Sequence, residues 1–107
     1  MSGGVFRYDG SLIHFAAHYR WTADQLAAAH RVFPIPPGRG SITARAIMTG
    51  EVAHVADFTA DPDFAYPSLG TGGLNTTLSV PMLRDGEPIG AITITRTEKE
   101  PVRRQAG

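Results

Sequence analysis

Four histidines are the side chains in this sequence that most readily bind a metal ion. His14 and His18 are four residues apart in an alternating, strand-like run. They therefore share a face but lie about 13 Å apart at about 3.3 Å per residue. One ion cannot contact both side chains across that distance. We expect the histidines to be surface or edge residues, and the sequence predicts no metal site.

Acidic residues offer a second candidate, because Asp57, Asp61 and Asp63 cluster in one stretch. A calcium-binding loop needs regularly spaced oxygen ligands and a distal glutamate, and this stretch has neither. Turn and helix-cap roles fit better, since Asp61 precedes a proline as turn openers often do. The sequence also has no GxSxG or HExxH motif and no pair of carboxylates on a catalytic frame. We predict no catalytic residues and no enzymatic activity.

The stretch PPGRGSITAR, residues 36–45, places glycines ahead of a helix start, with Arg39 and Arg45 nearby. Backbone N–H groups at a helix start, together with two guanidinium groups, can bind an anion. The stretch is neither a Walker loop nor a GxGxxG motif. An ordinary loop explains the same residues, so anion binding and a purely structural role both stay open.

Three aromatic side chains, those of Phe58, Phe64 and Tyr66, fall in the glycine- and proline-punctuated stretch 57–73. Long irregular segments within a domain are uncommon and often functional. An aromatic segment that folds over a sheet can line a pocket for a small molecule. The same three rings could instead form a small cluster that pins the segment. Both interpretations stay open.

Composition narrows the class of protein. The chain has 107 residues, enough for one domain, with ten basic and ten acidic residues and no cysteine. A net charge of zero indicates neither nucleic acid nor an anionic membrane as a partner. The lack of cysteine excludes disulfides, thiolate metal sites and thiol nucleophiles. No apolar run approaches the roughly 18 residues of a membrane helix, and the start does not resemble a signal peptide. We expect a cytoplasmic protein.

The order of predicted elements is strand, strand, helix, helix, strand, strand, strand. Asp9-Gly10 predicts a tight turn between the first two strands. Thr22 and Gln25 form a capping box for a helix over residues 22–33, and Ser41 caps a second helix that ends at Gly50. This order favours an α+β domain with a central, mostly antiparallel sheet and short helices on one face. We expect a disordered start over residues 1–4, one domain over 5–97 and a disordered tail over 98–107.

The second strand alternates between two faces. Ile13, Phe15, Ala17 and Tyr19 are predicted to point one way, which makes that face apolar.

The stretch SVPMLRDGEPIGAITIT, residues 79–95, predicts a hairpin that turns at Asp85-Gly86. Counting back from that turn places Val80 opposite Ala91 and Ser79 opposite Ile92, so that both faces are largely apolar. Pro81 cannot donate a ladder hydrogen bond and indicates an edge or a bulge. A sheet that is apolar on both faces needs cover on both. The two predicted helices, about twenty residues together, can cover only one of them.

Three stretches in this order resemble a GAF domain of the type found in bacterial sensor histidine kinases and nucleotide cyclases. They are RYDGSLIHFAAHY, FPIPPGRGSITARAIMTGEVAHVADFTADPDF and TTLSVPMLRDGEPIGAITITRTE. The resemblance runs from Val5 to Glu98. Its most specific parts are the hairpin SVPMLRDGEPIGAI and the segment GRGSITARAIMTGEVAHVADF.

The resemblance implies a small-molecule pocket between the sheet and the short helices and loops on one face. It also implies long flanking helices on the other face, which this sequence lacks at both ends. Such sensors often carry Arg where Asn75 stands. The absence of cysteine removes the usual attachment of a bilin and the catalytic thiols of GAF-type free methionine sulfoxide reductases. We predict no cofactor. The candidate ligand-binding residues are Phe15, Arg39, Arg45, Phe58, Phe64, Tyr66, Asn75 and Thr77.

Two functional hypotheses follow. The first is a non-enzymatic sensory module that binds an unidentified small molecule between its sheet and the segment 57–76. The second is a truncated domain that acts as an interaction or dimerisation module, pairing with itself or with a sensor kinase or cyclase through its uncovered face. A small enzyme is the least favoured reading, because no nucleophile and base are recognisable.

Overall fold

The computed structural model describes residues 1–56 and 75–97 of the chain, with the side chains of Asn75 and Thr97 left out of the description. Within these ranges the elements follow in the predicted order. They are β1 (Ser2–Tyr8), β2 (Ile13–Tyr19), α1 (Ala23–Val32), α2 (Ile42–Thr49), β3 (Ala53–Val55), β4 (Asn75–Arg84) and β5 (Glu87–Thr97).

The strands form one sheet in the order β2-β1-β5-β4-β3, and every neighbouring pair is antiparallel. This confirms the predicted α+β class with a central antiparallel sheet. The expectation of a disordered start over residues 1–4 is wrong for Ser2, Gly3 and Gly4, which belong to β1. β1 begins at Ser2, because Gly3 pairs with both Tyr19 and Ile94 and the first strand lies inside the sheet. The predicted tail lies outside the described residues.

Both helices begin and end where their local signals predict. Thr22 Oγ1 accepts from the backbone N–H of Gln25, and Gln25 Oε1 accepts from the N–H of Thr22, which completes the capping box of α1. Ser41 Oγ accepts from the N–H of Ala44 at the start of α2. Gly50 ends α2 in the left-handed conformation, with φ at 72°, which glycine adopts without steric cost.

The turn between β1 and β2 differs from the expected two-residue turn. Tyr8 pairs with Ile13, so four residues connect the strands. Asp9 Oδ1 accepts from the N–H groups of Ser11 and Leu12, at 2.9 and 2.7 Å. An aspartate side chain that accepts hydrogen bonds from the backbone N–H groups of the residues that follow it favours a longer turn, which the side chain stabilises.

β2 has a bulge opposite Val5 and Phe6, and the bulge changes which side chains of β2 share a face. Phe6, in the core, pairs with Phe15, whereas Val5, on the exposed side, pairs with Ala17. Phe15 therefore faces the helices, while Ala17 and Tyr19 lie on the opposite side. The expected single apolar face of β2 is wrong because the extra residue inverts the alternation beyond it.

The β4–β5 hairpin turns at Asp85-Gly86, as predicted. Both residues have positive φ, at 53° and 82°, as a type I′ turn requires. A bulge between Met82 and Leu83 then shifts the register by one residue. Pro81 lies beside this bulge and beyond the last β3 pair, at Ser79, which agrees with the edge or bulge that it indicates.

The register shift changes which residues share a face. Val80 pairs with Ile92 and Leu78 with Ile94, while Ser79 pairs with Thr93 and Thr77 with Thr95. The predicted pairs of Val80 with Ala91 and of Ser79 with Ile92 are therefore wrong. One face of the hairpin is aliphatic and the other carries hydroxyl groups. The sequence predicts two largely apolar faces for this hairpin, and that prediction is wrong for the face that carries the hydroxyl groups.

The core lies between the sheet and the two helices. α2 packs on β3, β4 and β5, and α1 on β2. The core side chains come from β1, β2, α2, β5 and the residue after Pro34, and they are Phe6, Ile13, Ile35, Ala44, Ile47 and Ala91. Each of them is at least nine-tenths buried, so their burial contributes hydrophobic stabilisation to the fold.

We call the side of the sheet that carries Val5, Val80, Ile92 and Ile94 the rear face. These four aliphatic residues are between 36% and 40% exposed, although they lie in the middle strands of the sheet. Neither α1 nor α2 packs on this side within the described residues. The expectation of one helix-covered face and one uncovered apolar face is confirmed for this part of the chain.

Candidate ligand-binding site

Five hydroxyl groups meet on the helix-facing side of β4 and β5, and we call them the hydroxyl row. Thr93 Oγ1 lies 2.6 Å from Thr43 Oγ1 of α2 and 2.8 Å from Ser79 Oγ of β4. Further along the same two strands, Thr77 Oγ1 lies 3.3 Å from Thr95 Oγ1. The hydroxyl row therefore joins a helix and two strands.

The hydroxyl row continues the core. Ala91 is fully buried, and Thr93 and Thr95 follow it on the same face of β5, since alternate residues of a strand share a face. Thr43, Thr77 and Ser79 are 5%, 3% and 0% exposed. Buried hydroxyl groups are costly unless they form hydrogen bonds, and each of these has a hydroxyl partner. A wall with few, convergent polar groups beside apolar surface is typical of small-molecule sites.

The strand pairing shows where the segment 57–74 leaves and rejoins the sheet. Val55, near the end of β3, pairs with Thr77, and Thr76 Oγ1 donates to the carbonyl of Ala56 at 3.0 Å. The described residues on either side of this segment, Ala56 and Thr76, therefore lie beside the Thr77 end of the hydroxyl row.

The predicted ligand residues Phe58, Phe64 and Tyr66 lie outside the described residues. Asn75 is the first residue of β4, and only its backbone is described.

Phe15 lies elsewhere on the helix-facing side. Its ring stacks on Trp21 at 5.1 Å between centroids, lies 5.9 Å from Phe6 and contacts His30 edge-on at 5.4 Å. β2 and β4 are three strand spacings apart, which is about 14 Å. Phe15 and Thr77, both predicted ligand residues, are therefore not brought together, and Phe15 belongs to an aromatic cluster between β1, β2 and α1.

Arg39 lies before α2 and Arg45 lies within it, and the structure brings the two residues together. Arg45 Nη2 donates to the backbone carbonyl of Arg39 at 2.8 Å. This hydrogen bond ties the glycine-containing loop to the helix that follows, which is the structural role left open for these residues. Whether they bind a ligand remains a prediction.

His14 lies beside Asp9, with Nε2 2.8 Å from Oδ2. Hydrogen bonds from the backbone N–H of Leu12, the His14 ring and the N–H of Ser11 lower the pKa of Asp9 well below its usual range. His14 thus stabilises the first hairpin. Across residues 1–56 and 75–97, no three metal-binding side chains come together.

The sequence analysis missed four members of the hydroxyl row: Thr43, Ser79, Thr93 and Thr95. A signal exists, because hydroxyl residues alternate with aliphatic ones in TLSV and in TIT, residues 77–80 and 93–95. The assumed register placed Ser79 opposite Ile92, which separated the two halves of the row.

The rear face contains a shallow groove of about 290 Å³. Its lining comes from β1, β2 and β5 and includes Gly3, Val5, Ala17, Tyr19 and Ile94. The groove is almost wholly apolar. It lies on the side of the sheet opposite the hydroxyl row.

Neither helix in the described ranges has the length and hydropathy to cross a bilayer.

The described residues form an α+β domain with a central antiparallel sheet and short helices on one face. The sequence profile of the GAF domain family matches residues 1–105. The chain belongs to the GAF domain family. No curated protein matched the sequence.

Solved structures agree with this assignment. A GAF domain/HD domain protein from Geobacter sulfurreducens superposes with a TM-score of 0.69 at 21% identity, covering 94% of this chain and 65% of that one. The nlh2 GAF domain of A. aeolicus in an inactive state gives 0.66 at 19% identity, covering 90% and 57%. The free methionine-R-sulfoxide reductase from Neisseria meningitidis gives 0.67 at 23%, covering 91% and 52%. The chain therefore spans between half and two thirds of the length of these structures.

Proposed function

We propose that this GAF domain is a non-enzymatic sensory module of bacterial signal transduction that binds a small molecule against the hydroxyl row. The observation that carries the proposal is the convergence of five hydroxyl groups beside an apolar core. Hydroxyl groups both donate and accept hydrogen bonds, so they can orient a ligand while the core excludes water. The candidate residue Thr77 belongs to this wall, and Phe58, Phe64 and Tyr66 remain predicted ligand residues.

Structural neighbours of the chain include free methionine-R-sulfoxide reductases, which are enzymes. The resemblance described above attributes catalytic thiols to those reductases, and this sequence contains no cysteine. A thiol cannot therefore act as a nucleophile here, which supports a binding role over a reductase role.

We also propose a cytoplasmic location, with which the cysteine-free composition agrees. In this proposal the domain passes its signal to a sensor kinase or cyclase.

Ligand binding can be tested by native mass spectrometry of the full chain as purified, followed by thermal unfolding against a panel of metabolites. We expect at least one compound to raise the unfolding temperature, because a ligand that binds only the folded state stabilises it. Thr77→Val should abolish that increase. Ser11→Ala is the control, since it removes an exposed side-chain hydroxyl in the β1–β2 turn, outside the hydroxyl row.

An increase that survives Thr77→Val would place the ligand elsewhere. A panel without any stabilising compound, together with no retained ligand, would contradict the sensory proposal.

A second candidate function, dimerisation, is favoured by the exposed aliphatic rear face. Val5, Val80, Ile92 and Ile94 form one aliphatic surface across three adjacent strands. Such surfaces mark interaction sites. We assign it to a second copy of the chain, because a zero net charge gives two copies no overall repulsion and an aliphatic surface is complementary to itself.

Sedimentation velocity over a range of concentrations tests dimerisation. The double variant Ile92→Thr, Ile94→Thr should remain monomeric where the unmodified chain dimerises. Val52→Thr changes an aliphatic residue that is 57% exposed in the link between α2 and β3, and it should leave the dimer unchanged. A chain that stays monomeric at every concentration would exclude this function.

A further inference from the structure

Thr93 is the central member of a three-hydroxyl cluster. Its Oγ1 contacts Thr43 Oγ1 at 2.6 Å and Ser79 Oγ at 2.8 Å. Each hydroxyl group has one proton to donate and two lone pairs that accept. Three hydroxyls carry three protons, but two contacts use only two of them. The position of the third proton decides what the cluster can bind.

Burial indicates where the third proton lies. Ser79 is fully buried and Thr43 is 5% exposed, whereas Thr93 is partly exposed. Within the described residues, the side chains of Ser79 and Thr43 have no hydrogen-bond partner besides Thr93. A spare proton on either would be a buried donor without an acceptor, which is the costly arrangement. In the arrangement that avoids this cost among the described residues, both buried hydroxyls donate to Thr93 and the proton of Thr93 points away from them.

This arrangement makes Thr93 a donor only. Both of its lone pairs are occupied, so it cannot accept a hydrogen bond from a ligand. A hydroxyl that accepts two hydrogen bonds is also polarised toward donating its own proton.

Thr95 follows on the same face of β5, about 7 Å away. It has a single hydroxyl partner, the buried Thr77, at 3.3 Å. If Thr77 donates, Thr95 keeps a proton and a lone pair. Thr95 can therefore both donate and accept.

Resting on the ligand site proposed above, we propose that Thr93 selects ligands that present an acceptor oxygen, such as a carbonyl or a carboxylate. A ligand group that can only donate a hydrogen bond would face the proton of Thr93. Thr93 Oγ1 would have no free lone pair to accept its hydrogen bond. We therefore expect the ligand to be a small molecule whose acceptor oxygen lies at Thr93. Its polar group near Thr95 can be either a hydrogen-bond donor or a hydrogen-bond acceptor.

The test uses the full chain labelled with nitrogen-15 and follows backbone amide resonances. Acetone and acetate are the probes that only accept hydrogen bonds, and methylammonium is the probe that only donates. We expect the acceptor probes to shift the amides of Thr93 and Ser79, and methylammonium to leave them in place. Thr93→Val should weaken the acetate titration about tenfold, the loss expected for one hydrogen bond to a charged group.

Thr93→Ser keeps the hydroxyl and should bind acetate like the unmodified chain, which separates a lost donor from a misfolded variant. Ser11→Ala, in the exposed β1–β2 turn, should leave the acetate titration unchanged. Equal shifts from methylammonium, no shifts from either acceptor probe, or acetate binding unaffected by Thr93→Val would each overturn the inference. A metabolite whose binding depends on Thr77 and not on Thr93 would overturn it and leave the proposed sensory function standing.

Discussion

Ser79 faces Thr93 across the β4–β5 ladder, with their hydroxyl oxygens 2.8 Å apart. Counting residues from the Asp85-Gly86 turn would place Ser79 opposite Ile92. The bulge between Met82 and Leu83 makes the difference of one residue. This single shift collects the hydroxyl groups on the helix-facing side and the aliphatic groups on the rear face. The candidate site therefore exists because of the bulge.

Removing the Ser79 hydroxyl should lower stability. Ser79→Ala deletes the hydrogen bond to Thr93 in a fully buried position, at an expected cost of about 1 kcal/mol in the free energy of unfolding. Urea denaturation measures this cost. Ser11→Ala makes the same change at an exposed turn residue and should stay within about 0.5 kcal/mol of the unmodified chain. Equal effects of the two changes would contradict the hydrogen bond.

A side chain at Gly90 should be poorly tolerated. An added Cβ would meet the backbone oxygen of Phe6 in the neighbouring strand and the Cε of Met82. Backbone cannot move aside as a flexible side chain can, so Gly90→Ala should cost about 1–3 kcal/mol. Gly38→Ala is the control, because a Cβ there meets nothing within 4 Å. Urea denaturation of both variants checks the prediction, and a Gly90→Ala variant as stable as Gly38→Ala would refute the close approach of β1 and β5.

The Asp9 carboxylate should make stability depend on acid pH. Its pKa is lowered in the folded state, chiefly by the backbone N–H of Leu12 and then by His14. A lowered folded pKa stabilises the fold above the unfolded value of about 3.9, and this contribution is lost as the pH falls from there toward the folded pKa. Asp9→Asn should therefore be less stable than the unmodified chain at neutral pH, and the difference should shrink below about pH 4.

Thermal unfolding at a series of pH values measures the Asp9 effect. Asp85→Asn is the matched control, because Asn also adopts the left-handed conformation found at residue 85. A gap between Asp9→Asn and the unmodified chain that stays constant down to strongly acid pH would contradict the assigned cause.

The capping box of α1 should contribute measurably to stability. Thr22→Ala removes the oxygen that accepts from the N–H of Gln25, at an expected cost of about 1 kcal/mol. Thr22→Ser keeps that oxygen and should recover most of the loss. Urea denaturation compares the three chains. If serine and alanine at this position gave the same stability, the side-chain cap would not be what stabilises the helix.

Local signals in the sequence predicted much of the fold correctly. The Thr22 and Ser41 caps, the Gly50 stop and the Asp85-Gly86 turn all depend on residues within about four positions of one another. The backbone preferences of those residues act the same way in most surroundings. For this reason the α+β class, the order of the elements and their antiparallel pairing followed from the sequence, as did the resemblance to GAF domains.

The candidate site followed from the sequence only in part. Thr77 was identified, but its neighbours in the hydroxyl row were not. Phe15 was also a predicted ligand residue; it packs against Trp21 and Phe6, away from the hydroxyl row, and its ligand role stays a prediction. Residues in different strands come together only through register and strand order, and neither is fixed by nearby residues alone.

By itself, then, the sequence determined the starts and ends of the two helices, the position of the β4–β5 turn, and how little helix the two predicted helices supply to cover the sheet. The tertiary structure decided which side chains share a face. Each strand alternates its side chains with a period of two, so one bulged residue inverts everything beyond it. Gly90 has no side chain and lies opposite Met82 across the ladder. The close packing around Gly90 forms only when β1, β5 and β4 lie side by side. It therefore could not be predicted by counting residues from the turn.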